Sequence, residues 1–463
     1  MTMGNRGEIF SASFQKQKFF LKPKNILYLA LAFILIRNIP LCISLPIWVF
    51  GDEMAHTDYA LKIAKGHIPQ PQDHIEPELF LLHKVHRDIR FAIDRFVPPP
   101  NDVNKMGFGG YSYAAKHPPL PYLIYDLFRI CLAPLGLSLI VQIKIMRIIT
   151  LLAMSAGIIY LYSGLRKAGC QNPIFYYPLL FIALLSQDMY FSINNDSFSF
   201  CFVSFSLAQI FILFKNPLSA KNRKLLILGT ILSLWTKITN VLLFPLWLLL
   251  ICLFRSHGQR KKIYASLLLA LFIAILLSAP WYIYNLIRFK DPVAFRYGSM
   301  QGEPVVSPQN LNWQSLKTFV LAFTRTLFRG DLHWHGNSFD ILSPGLRDLF
   351  MSIIPILLFM IAAFPYLDPP HEDARPLLFL RRSAVGVMIA LLCAYFFIGN
   401  IPFYQARFSF GALYIIIFML AWGWKKCLRS DAAAFWVPVL MLLCYNIVYT
   451  SALLSKVLGP KLR

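Results

Sequence analysis

The sequence predicts an all-α, polytopic integral membrane protein with about eleven transmembrane helices and two large loops on the outer face. Of its 463 residues, 57% are hydrophobic and only 14% are charged. Soluble globular domains carry about 25% charged residues, so this composition disfavours a soluble enzyme, a disordered chain and a fibrous protein. The apolar runs decide for the membrane, because a helix needs roughly 20 apolar residues to cross the hydrocarbon core.

Polar or charged segments separate ten apolar runs, each interpreted as one span except the run at 225–254. That run is long enough for two short spans, broken near residues 237–240. The first run follows a polar stretch, has spanning length and lacks a small-residue cleavage site, which predicts a signal-anchor. The ten runs lie at 25–50, 141–162, 174–190, 198–214, 225–254, 263–287, 349–364, 384–398, 408–424 and 434–454.

Basic residues assign the two sides of the membrane. The 45 Lys and Arg exceed the 22 Asp and Glu by 23, which in a soluble protein would suggest a nucleic-acid partner. In a membrane protein these residues collect in cytoplasmic loops, so we expect a cytoplasmic N-terminus and no nucleic-acid partner. The later basic clusters fall on the same side only if residues 118–135 do not cross. We therefore predict that this segment lies in the interface or dips into the outer leaflet; the alternative is a full crossing.

Two polar loops, 50–117 and 288–346, then lie on the outer side. The first contains nine of the 22 acidic residues and six of the ten histidines, so the titratable chemistry gathers there. Apolar residues at helical spacing over 82–96 predict an amphipathic helix on the membrane surface. The Gly- and aromatic-rich stretch 106–113 predicts a mobile loop tip. The eight cysteines form no CxxC pair, which argues against redox or zinc-thiolate chemistry.

The first group of candidate functional residues directly follows the first span. Asp52 and Glu53 are adjacent carboxylates at the predicted membrane edge, and His56 comes three residues after Glu53. Carboxylates are costly to place near hydrocarbon. Desolvation there raises a carboxyl pKa toward the range that a general base needs. The alternative is an ordinary solvated helix end.

Two further groups fall on the predicted outer face. Lys116 and His117 precede a proline-rich entry into the next helix, which holds them at the level of a lipid phosphate. The alternative is an ordinary interfacial lysine. Asn195 and Asp196 belong to a short outer turn, with Asp188 shortly before it, although Asn and Asp are also common turn residues.

Two arginines on the outer side depart from the rule that basic residues stay inside. Arg407 follows Gln405 at the outer start of one span, and Arg147 lies near the outer end of another. An arginine can bind phosphate through two parallel hydrogen bonds. The alternative for each is a helix-end anchor.

Two other features are interpreted as structural. Lys237 lies mid-way in the hydrophobic hairpin, and we expect it on the inner half as a snorkelling side chain. His333 and His335 form an HxH pattern that could bind a metal. An aromatic and polar docking surface is the favoured interpretation there.

Four short motifs, taken in order, resemble those of the GT-C glycosyltransferases. They are DEMAH at 52–56, HPPLPY at 117–122, NND at 194–196 and QARF at 405–408. These polytopic enzymes use polyprenyl-phosphate sugars and include the protein O-mannosyltransferases and the lipid A aminoarabinose transferase. The set looks closest to an uncharacterised bacterial branch, from which Ala406 in place of Gly and Phe408 in place of Tyr depart.

The resemblance implies that the protein moves a sugar from a polyprenyl-phosphate donor to a hydroxyl of a glycan, lipid or protein acceptor. Asp52 would be the base of a single inverting displacement, with Glu53 and His56 orienting the base or the acceptor. Cations would stabilise the charge that develops on the departing phosphate. The residues implied for binding the phosphate or substrate are Lys116, His117, Arg147, Gln405 and Arg407.

The resemblance also implies an acidic side of the site, completed by Asp188, Asn195 or Asp196. A divalent metal held with Asp52 and Asp196 stays an open alternative, because some members of the superfamily use one and others do not. No other cofactor is implied. Residues 1–287 would form the catalytic membrane module, 288–346 the second outer loop and 347–463 the C-terminal helices. The expected location is a bacterial inner membrane with the site facing the periplasm.

Three other functions compete with this interpretation. A transporter or flippase of lipid-linked glycans would place paired charges at mid-bilayer and often shows an internal repeat; here the charges gather at the outer surface and no repeat is evident. A polysaccharide polymerase or ligase would concentrate Arg and His in one large late loop. A non-catalytic scaffold with the same fold is the third alternative, and replacement of Asp52 separates it from an enzyme.

Overall fold

The computed structural model describes most of the chain, and all of its regular elements in the described part are helices. The prediction of an all-α fold is therefore confirmed for these residues. The predicted surface helix at 82–96, the loop tip at 106–113, Gln405 and the HxH pattern lie wholly or largely outside them. The described residues are 22–48, 52–70, 73–79, 82, 112–186, 188–254, 257–292, 313–329, 343–363, 374–398 and 406–458.

Fifteen α-helices are numbered here in chain order within the described residues. They are α1 (Pro23–Ser44), α2 (Glu53–Ala64), α3 (Leu120–Leu132), α4 (Leu139–Ala168), α5 (Tyr177–Leu184), α6 (Asp196–Lys215), α7 (Ala220–Leu234), α8 (Leu243–Leu253), α9 (Arg260–Phe289), α10 (Trp313–Arg329), α11 (Pro344–Asp348), α12 (Ile354–Ala363), α13 (Ala374–Ile398), α14 (Leu413–Leu428) and α15 (Asp431–Leu458). Short 3-10 turns lie at Tyr113–Lys116, Ala133–Leu135, Pro173–Phe175, Asp188–Tyr190, Ile238–Leu242 and Ala406–Ala412, and a π-helical turn at Leu349–Ile353.

Seven segments of the described chain are long and apolar enough to cross a membrane, so the protein is an α-helical, membrane-embedded protein. They are Pro23–Ser44, Leu139–Ala168, Asp196–Lys215, Arg260–Phe289, Gly345–Ala363, Ser409–Leu428 and Asp431–Ser451. The predicted number of about eleven spans stays a prediction, because the runs at 174–190 and 225–254 form shorter helices. The predicted break in the second of these runs is confirmed by the turn between α7 and α8.

Helix α6 lies at the centre of the bundle, and α9 lies at its rim. In the most apolar stretch of α6, 89% of the residues are buried inside the protein, whereas only 33% are buried in the corresponding stretch of α9. On α9 the side chains of Leu269, Phe272 and Leu276 are about 60% exposed and follow helical spacing along one face. Such a stripe of exposed apolar side chains fits contact with lipid rather than water.

The packing of α4 against α6 depends on two glycines. A Cβ atom at Gly164 would lie 2.5 Å from the Ala208 Cα, and one at Gly157 would lie 2.6 Å from the Phe200 ring. Small residues allow membrane helices to approach this closely. The close approach fixes the start of α6 relative to α4, and both helices contribute to the site described below.

Helix α3 has the length and the amphipathic character of an interfacial helix. Its 13 residues span about 20 Å, which is too short to cross roughly 30 Å of hydrocarbon. Tyr122 and Tyr125 are buried against the protein, whereas Leu127 and Ile130 are almost 60% exposed. The placement of residues 118–135 in the membrane interface stays a prediction.

The segment 288–346, predicted as the second outer loop, also carries an amphipathic helix, α10. Phe323 and Leu327 are buried, whereas Trp313 at its start is exposed. Arg325 of α10 forms an ion pair of 2.5 Å with Asp348 at the end of α11. The helix therefore packs along the bundle with its apolar face inward.

Candidate functional site

Four segments that are distant in sequence meet at one end of the bundle, where α1 ends and α2 and α6 begin; we call it the site end. The Leu120 backbone N–H donates to the Trp235 carbonyl (3.2 Å), which ties the start of α3 to the α7–α8 turn. The Tyr125 hydroxyl donates to the Asn194 carbonyl (3.0 Å), which ties α3 to the turn before α6. Asn195 Nδ2 donates to the Thr236 carbonyl (3.4 Å), so the two turns are also joined directly.

The fourth motif approaches the same place through its backbone. The turn Ala406–Ala412 contains Arg407, and a Cβ atom at Gly411 would lie 2.5 Å from Asn240 Oδ1 in the α7–α8 turn. The segment thus packs against that turn, which brings its backbone near the site end. The side chains of Gln405 and Arg407 lie outside what the structure describes, so their predicted roles stay predictions.

Glu53 and Arg147 form a buried ion pair with two parallel hydrogen bonds. Arg147 Nε donates to Glu53 Oε1 and Arg147 Nη2 to Glu53 Oε2, each at 2.7 Å, and both side chains are fully buried. The Glu53 carboxylate also accepts the backbone N–H of Trp48 at 3.0 Å. The pair therefore joins the start of α2 to the middle of α4.

The remaining donors of Arg147 bind the end of α1. Its Nη1 donates to the carbonyls of Leu45 (2.9 Å) and Cys42 (3.5 Å), and its Nη2 donates to the carbonyl of Pro46 (2.7 Å). A guanidinium has five N–H donors, and these contacts with Glu53 and the carbonyls use all of them. The geometry therefore supports a structural role for Arg147 and Glu53 rather than the predicted contacts with phosphate and acceptor.

Asp52 differs from Glu53 although the two are adjacent. It occupies the residue before α2 with a φ of 64°, a left-handed conformation that Asp tolerates better than most residues. Its backbone carbonyl accepts the His56 N–H at 3.0 Å, and its side chain is only partly buried. The turn thus sends the Glu53 carboxylate into the protein and leaves the Asp52 carboxylate accessible at the site end.

Aromatic rings from α2 and α3 stack beside Asp52. His56 Nδ1 lies 2.7 Å from the Tyr122 hydroxyl, and Tyr59 stacks on Tyr122 with ring centroids 3.9 Å apart. His56 also stacks with His117 at 5.7 Å, and the Tyr59 hydroxyl donates to the His117 carbonyl at 3.0 Å. The structure therefore brings His56 and His117, predicted from separate motifs, into one cluster.

His117 is held in its neutral form by its surroundings. Burial lowers the pKa of the His117 imidazole well below its ordinary value. The Lys116 ammonium, His56 when protonated and the Lys237 ammonium act in the same direction, while Asp52 opposes them. All four side chains therefore lie within electrostatic reach of His117. A neutral His117 can donate a hydrogen bond to a phosphate but does not supply a positive charge.

The pH dependence of stability tests the state of His117. Because its pKa is lowered on folding, the unfolded chain takes up a proton below about pH 6.5 that the folded protein does not. We expect wild-type stability to fall relative to a His117→Gln variant as the pH drops from 7.5 to 5, by at most about 1.4 kcal/mol per pH unit. Thermal unfolding of both proteins in detergent at each pH measures this difference. Curves that stay parallel over this range would contradict a neutral, buried His117.

Asp196 is paired with Lys237, a residue that the sequence analysis interpreted as structural. Lys237 Nζ forms an ion pair with Asp196 Oδ1, and both side chains are almost fully buried. The sequence analysis had placed Lys237 on the inner half and Asp196 on the outer side, and the structure contradicts this separation, because the α7–α8 turn reaches the site end, where α6 begins. Helix α7 begins, and helix α8 ends, next to a cluster of basic residues. The turn between the two helices therefore lies at the opposite end of the hairpin.

The turn before α6 is held by Asn194, the first residue of the NND motif. Its Oδ1 accepts the backbone N–H groups of Asp196 (2.7 Å) and Ser197 (3.2 Å), which is a cap on the first turn of α6. Its Nδ2 donates to the Met189 carbonyl at 2.8 Å. Asn194 thus fixes the turn that carries Asn195 and Asp196 to the α7–α8 turn.

Asp188 belongs to a second polar cluster inside the bundle. Its Oδ1 accepts the Met189 N–H at 3.1 Å, and Asp188 acts electrostatically on Arg37 of α1. Arg37 donates to the Thr450 hydroxyl of α15 at 3.2 Å and to the Asn38 side chain at 3.1 Å. These contacts do not support the predicted role of Asp188 beside Asp196, which stays a prediction.

A third group, missed by the sequence analysis, fixes α2 to the polar segment that follows it. Asp58 accepts hydrogen bonds from Lys62 (2.9 Å), Ser112 (2.5 Å) and the Glu76 backbone N–H (2.8 Å). Burial raises the pKa of the Asp58 carboxyl against the opposing effect of Lys62. The signal in the sequence was the Asp58–Lys62 spacing of four residues, which places both on one helix face. The group positions α2 and takes no part in the cluster around His56.

The open alternative of a metal held by Asp52 and Asp196 is tested by the donor set. In the described parts of the chain, no three His, Cys, Asp or Glu side chains come together in a way that could hold a metal ion. The Asp196 carboxylate is balanced by Lys237. These residues do not fit a divalent metal, and no step of the reaction proposed below runs through one.

Within the described residues, the cluster at the site end therefore contains one accessible carboxylate, two histidines, a buried Asp–Lys pair and the two stacked tyrosines Tyr59 and Tyr122. Asp52 and Asp196 both act electrostatically on Tyr122. No family model matches the chain, and no curated protein matches it. The likeness to the GT-C enzymes thus depends on the four motifs alone.

Proposed function

We propose that the protein is a membrane glycosyltransferase of the GT-C type that uses a polyprenyl-phosphate sugar as donor. The observation that supports this most is the convergence of the first three motifs around the accessible Asp52 carboxylate. The site end is bordered by α3, whose apolar exposed face suits the membrane interface, where the phosphate of a lipid donor lies. A proton acceptor, hydrogen-bond donors and a cation are the groups that sugar transfer from a phosphate requires.

In the proposed reaction, Asp52 accepts the proton of an acceptor hydroxyl as the hydroxyl oxygen attacks the anomeric carbon. The new carbon–oxygen bond forms as the bond to the phosphate oxygen breaks, and the configuration inverts. The departing polyprenyl phosphate keeps the electron pair of that bond. Neutral His117 and the cation Lys116 beside it are placed to stabilise the developing negative charge.

The structure suggests roles for Glu53, Arg147 and Lys237 that differ from those implied by the sequence. Arg147 and Glu53 hold α1, α2 and α4 together, which positions Asp52. Lys237 replaces Arg147 as the buried cation of the site, paired with Asp196. The acceptor and the sugar are left unassigned by these contacts.

A flippase of lipid-linked glycans is the second candidate, favoured by one observation. Arg37 lies within α1, a candidate membrane span, with Asp188 nearby. Ionisable residues inside membrane helices often mark a transport path. The larger cluster at the site end nevertheless favours chemistry over transport.

Replacement of Asp52 tests the proposed transfer. The purified protein, in vesicles loaded with radiolabelled polyprenyl-phosphate sugars and membrane-derived acceptors, is expected to form a labelled product. Asp52→Asn should lower the rate at least about 100-fold, because it removes the general base while keeping the side-chain shape. Glu78→Gln, a half-exposed carboxylate on the same loop, is the matched control and should transfer normally.

Two outcomes would contradict the proposal. Equal rates for wild type and Asp52→Asn would remove Asp52 from the site. The absence of labelled product from wild type with any donor, together with movement of lipid-linked glycan across the vesicle membrane, would establish the flippase instead.

A further inference from the structure

The hydroxyl of Tyr122 has one hydrogen-bond partner within the described residues, the His56 Nδ1 atom at 2.7 Å. The Tyr122 side chain is fully buried, so its hydroxyl does not face bulk solvent. Tyr59 covers one face of its ring at 3.9 Å. The direction of this single hydrogen bond therefore decides whether the hydroxyl is satisfied.

Only one direction satisfies the Tyr122 hydroxyl. If His56 Nδ1 carried the proton and donated it, the Tyr122 O–H would be a buried donor with no acceptor among the described residues, which is costly. If the Tyr122 O–H donates, His56 Nδ1 is unprotonated and accepts, and both groups are satisfied. A protonated imidazolium is excluded by the same argument, because both of its nitrogens are donors.

We propose that Tyr122 fixes His56 as the neutral tautomer with its proton on Nε2, which makes His56 a hydrogen-bond donor and not a base. The partner of one ring nitrogen commonly sets the proton on the other in this way. Stacking against His117 and Tyr122 holds the ring plane, so the Nε2–H direction is fixed as well. Tyr122 is thus a positioning residue that acts through His56.

The consequence for catalysis rests on the proposed function. With His56 as a donor, Asp52 is the one base in the first turn of α2 and His56 is not a second one. The Nε2–H then stabilises an anionic oxygen, either of the base or of the substrate. Tyr122 is the last residue of the HPPLPY motif, but the sequence analysis proposed no role for its hydroxyl.

The tautomer is measured directly by ¹⁵N NMR of histidine-labelled protein in lipid bilayers. The His56 signals are identified by their loss in a His56→Gln variant. At pH 7 we expect the Nδ1 resonance at the position of an unprotonated ring nitrogen and the Nε2 resonance at that of a protonated one. The reverse assignment, or two protonated nitrogens, in the wild-type spectrum would overturn the proposal whether or not the protein transfers sugar.

Two variants distinguish the effect of the Tyr122 hydrogen bond on the His56 tautomer from the effect of ring stacking. Tyr122→Phe keeps the ring but removes the hydroxyl, and we expect His56 to populate both neutral tautomers. Tyr59→Phe removes a hydroxyl from the same stack that bonds to the His117 carbonyl, and we expect an unchanged His56 spectrum. An unaltered His56 spectrum in Tyr122→Phe would show that Tyr122 does not set the tautomer.

The transfer assay adds a separate readout. Tyr122→Phe should lower the rate about 10-fold, the usual effect of one lost hydrogen bond, and Tyr59→Phe should affect it less. If wild type transfers no sugar, the NMR result still decides the tautomer. A Tyr122→Phe variant with mixed tautomers and a full transfer rate would overturn the role of His56 as a catalytic donor.

Discussion

An Arg147→Met variant is expected to lose about 3–5 kcal/mol of its free energy of unfolding, the loss typical when one partner of a buried ion pair is removed. Methionine is apolar and unbranched, but it leaves the Glu53 carboxylate buried without its cation. It also removes the donor to the Leu45 and Pro46 carbonyls at the end of α1. Thermal or denaturant unfolding of the purified protein in detergent measures the loss.

Three further variants separate the ion pair from general damage to the bundle. Arg129→Met is the matched control, because Arg129 lies 3.6 Å from Asp126 in a partly exposed pair and should cost less than about 1 kcal/mol. The double replacement of Glu53 and Arg147 by Met should recover much of the loss, since it leaves no unpaired buried charge. Arg147→Lys should lie between, because lysine keeps the charge but not the parallel hydrogen bonds. Wild-type stability in Arg147→Met would contradict the pair.

The same pair links stability to chemistry. Glu53 is drawn into the protein by Arg147, and the chain before α2 takes a left-handed turn at Asp52. We infer that this turn presents the Asp52 carboxylate at the site end. In the proposed reaction, the fixed elements α1, α2 and α4 would hold this single carboxylate in place, as a rigid catalytic site requires.

The helical membrane architecture could be predicted from the sequence because the bilayer leaves few alternatives. A segment in hydrocarbon must satisfy its own backbone hydrogen bonds, so long apolar runs become helices. The run at 225–254 illustrates this, since even its break near residues 237–240 was visible as a polar interruption. The number of spans was harder to predict, because hydropathy does not reveal whether a short helix such as α5 reaches both faces.

The candidate site could be predicted in part. Residues from three motifs, including His56, His117 and Asp196, do gather at one end of the bundle. The roles of Glu53 and Arg147 could not be foreseen, because the partners are 94 residues apart and adjacent carboxylates look alike in sequence. Only the backbone turn between Asp52 and Glu53 separates an accessible acid from a buried one.

Lys237 shows a different kind of error. The sequence analysis placed it mid-way in a hydrophobic hairpin, on the inner half, although the two ends of that hairpin are both basic. If both basic ends of the hairpin are cytoplasmic, the turn between α7 and α8 must lie on the opposite side of the membrane. The information was thus present in the pattern of basic residues, although its partner Asp196 could not be identified without the fold.

The Asp196–Lys237 pair yields the second large expected effect. Asp196→Asn leaves the Lys237 ammonium buried without its counter-charge, and Lys237→Met does the same to the Asp196 carboxylate. Each single variant should lose about 3–5 kcal/mol of unfolding free energy. The Asp196→Asn/Lys237→Met double variant should be more stable than the sum of the single effects by about 0.5–3 kcal/mol, measured by a double-mutant cycle of thermal unfolding.

The double variant also separates a structural pair from a functional one. If the pair only holds the two turns together, a folded double variant would transfer sugar at the normal rate. We expect the opposite, because Lys237 acts electrostatically on His117 and is the buried cation of the cluster. The Asp58→Asn/Lys62→Met variant is the matched control, since it removes a second buried Asp–Lys pair that lies outside the His56 cluster. Loss of transfer in the first double variant, with activity per folded protein retained in the second, would assign the Asp196–Lys237 pair to the site rather than to the scaffold.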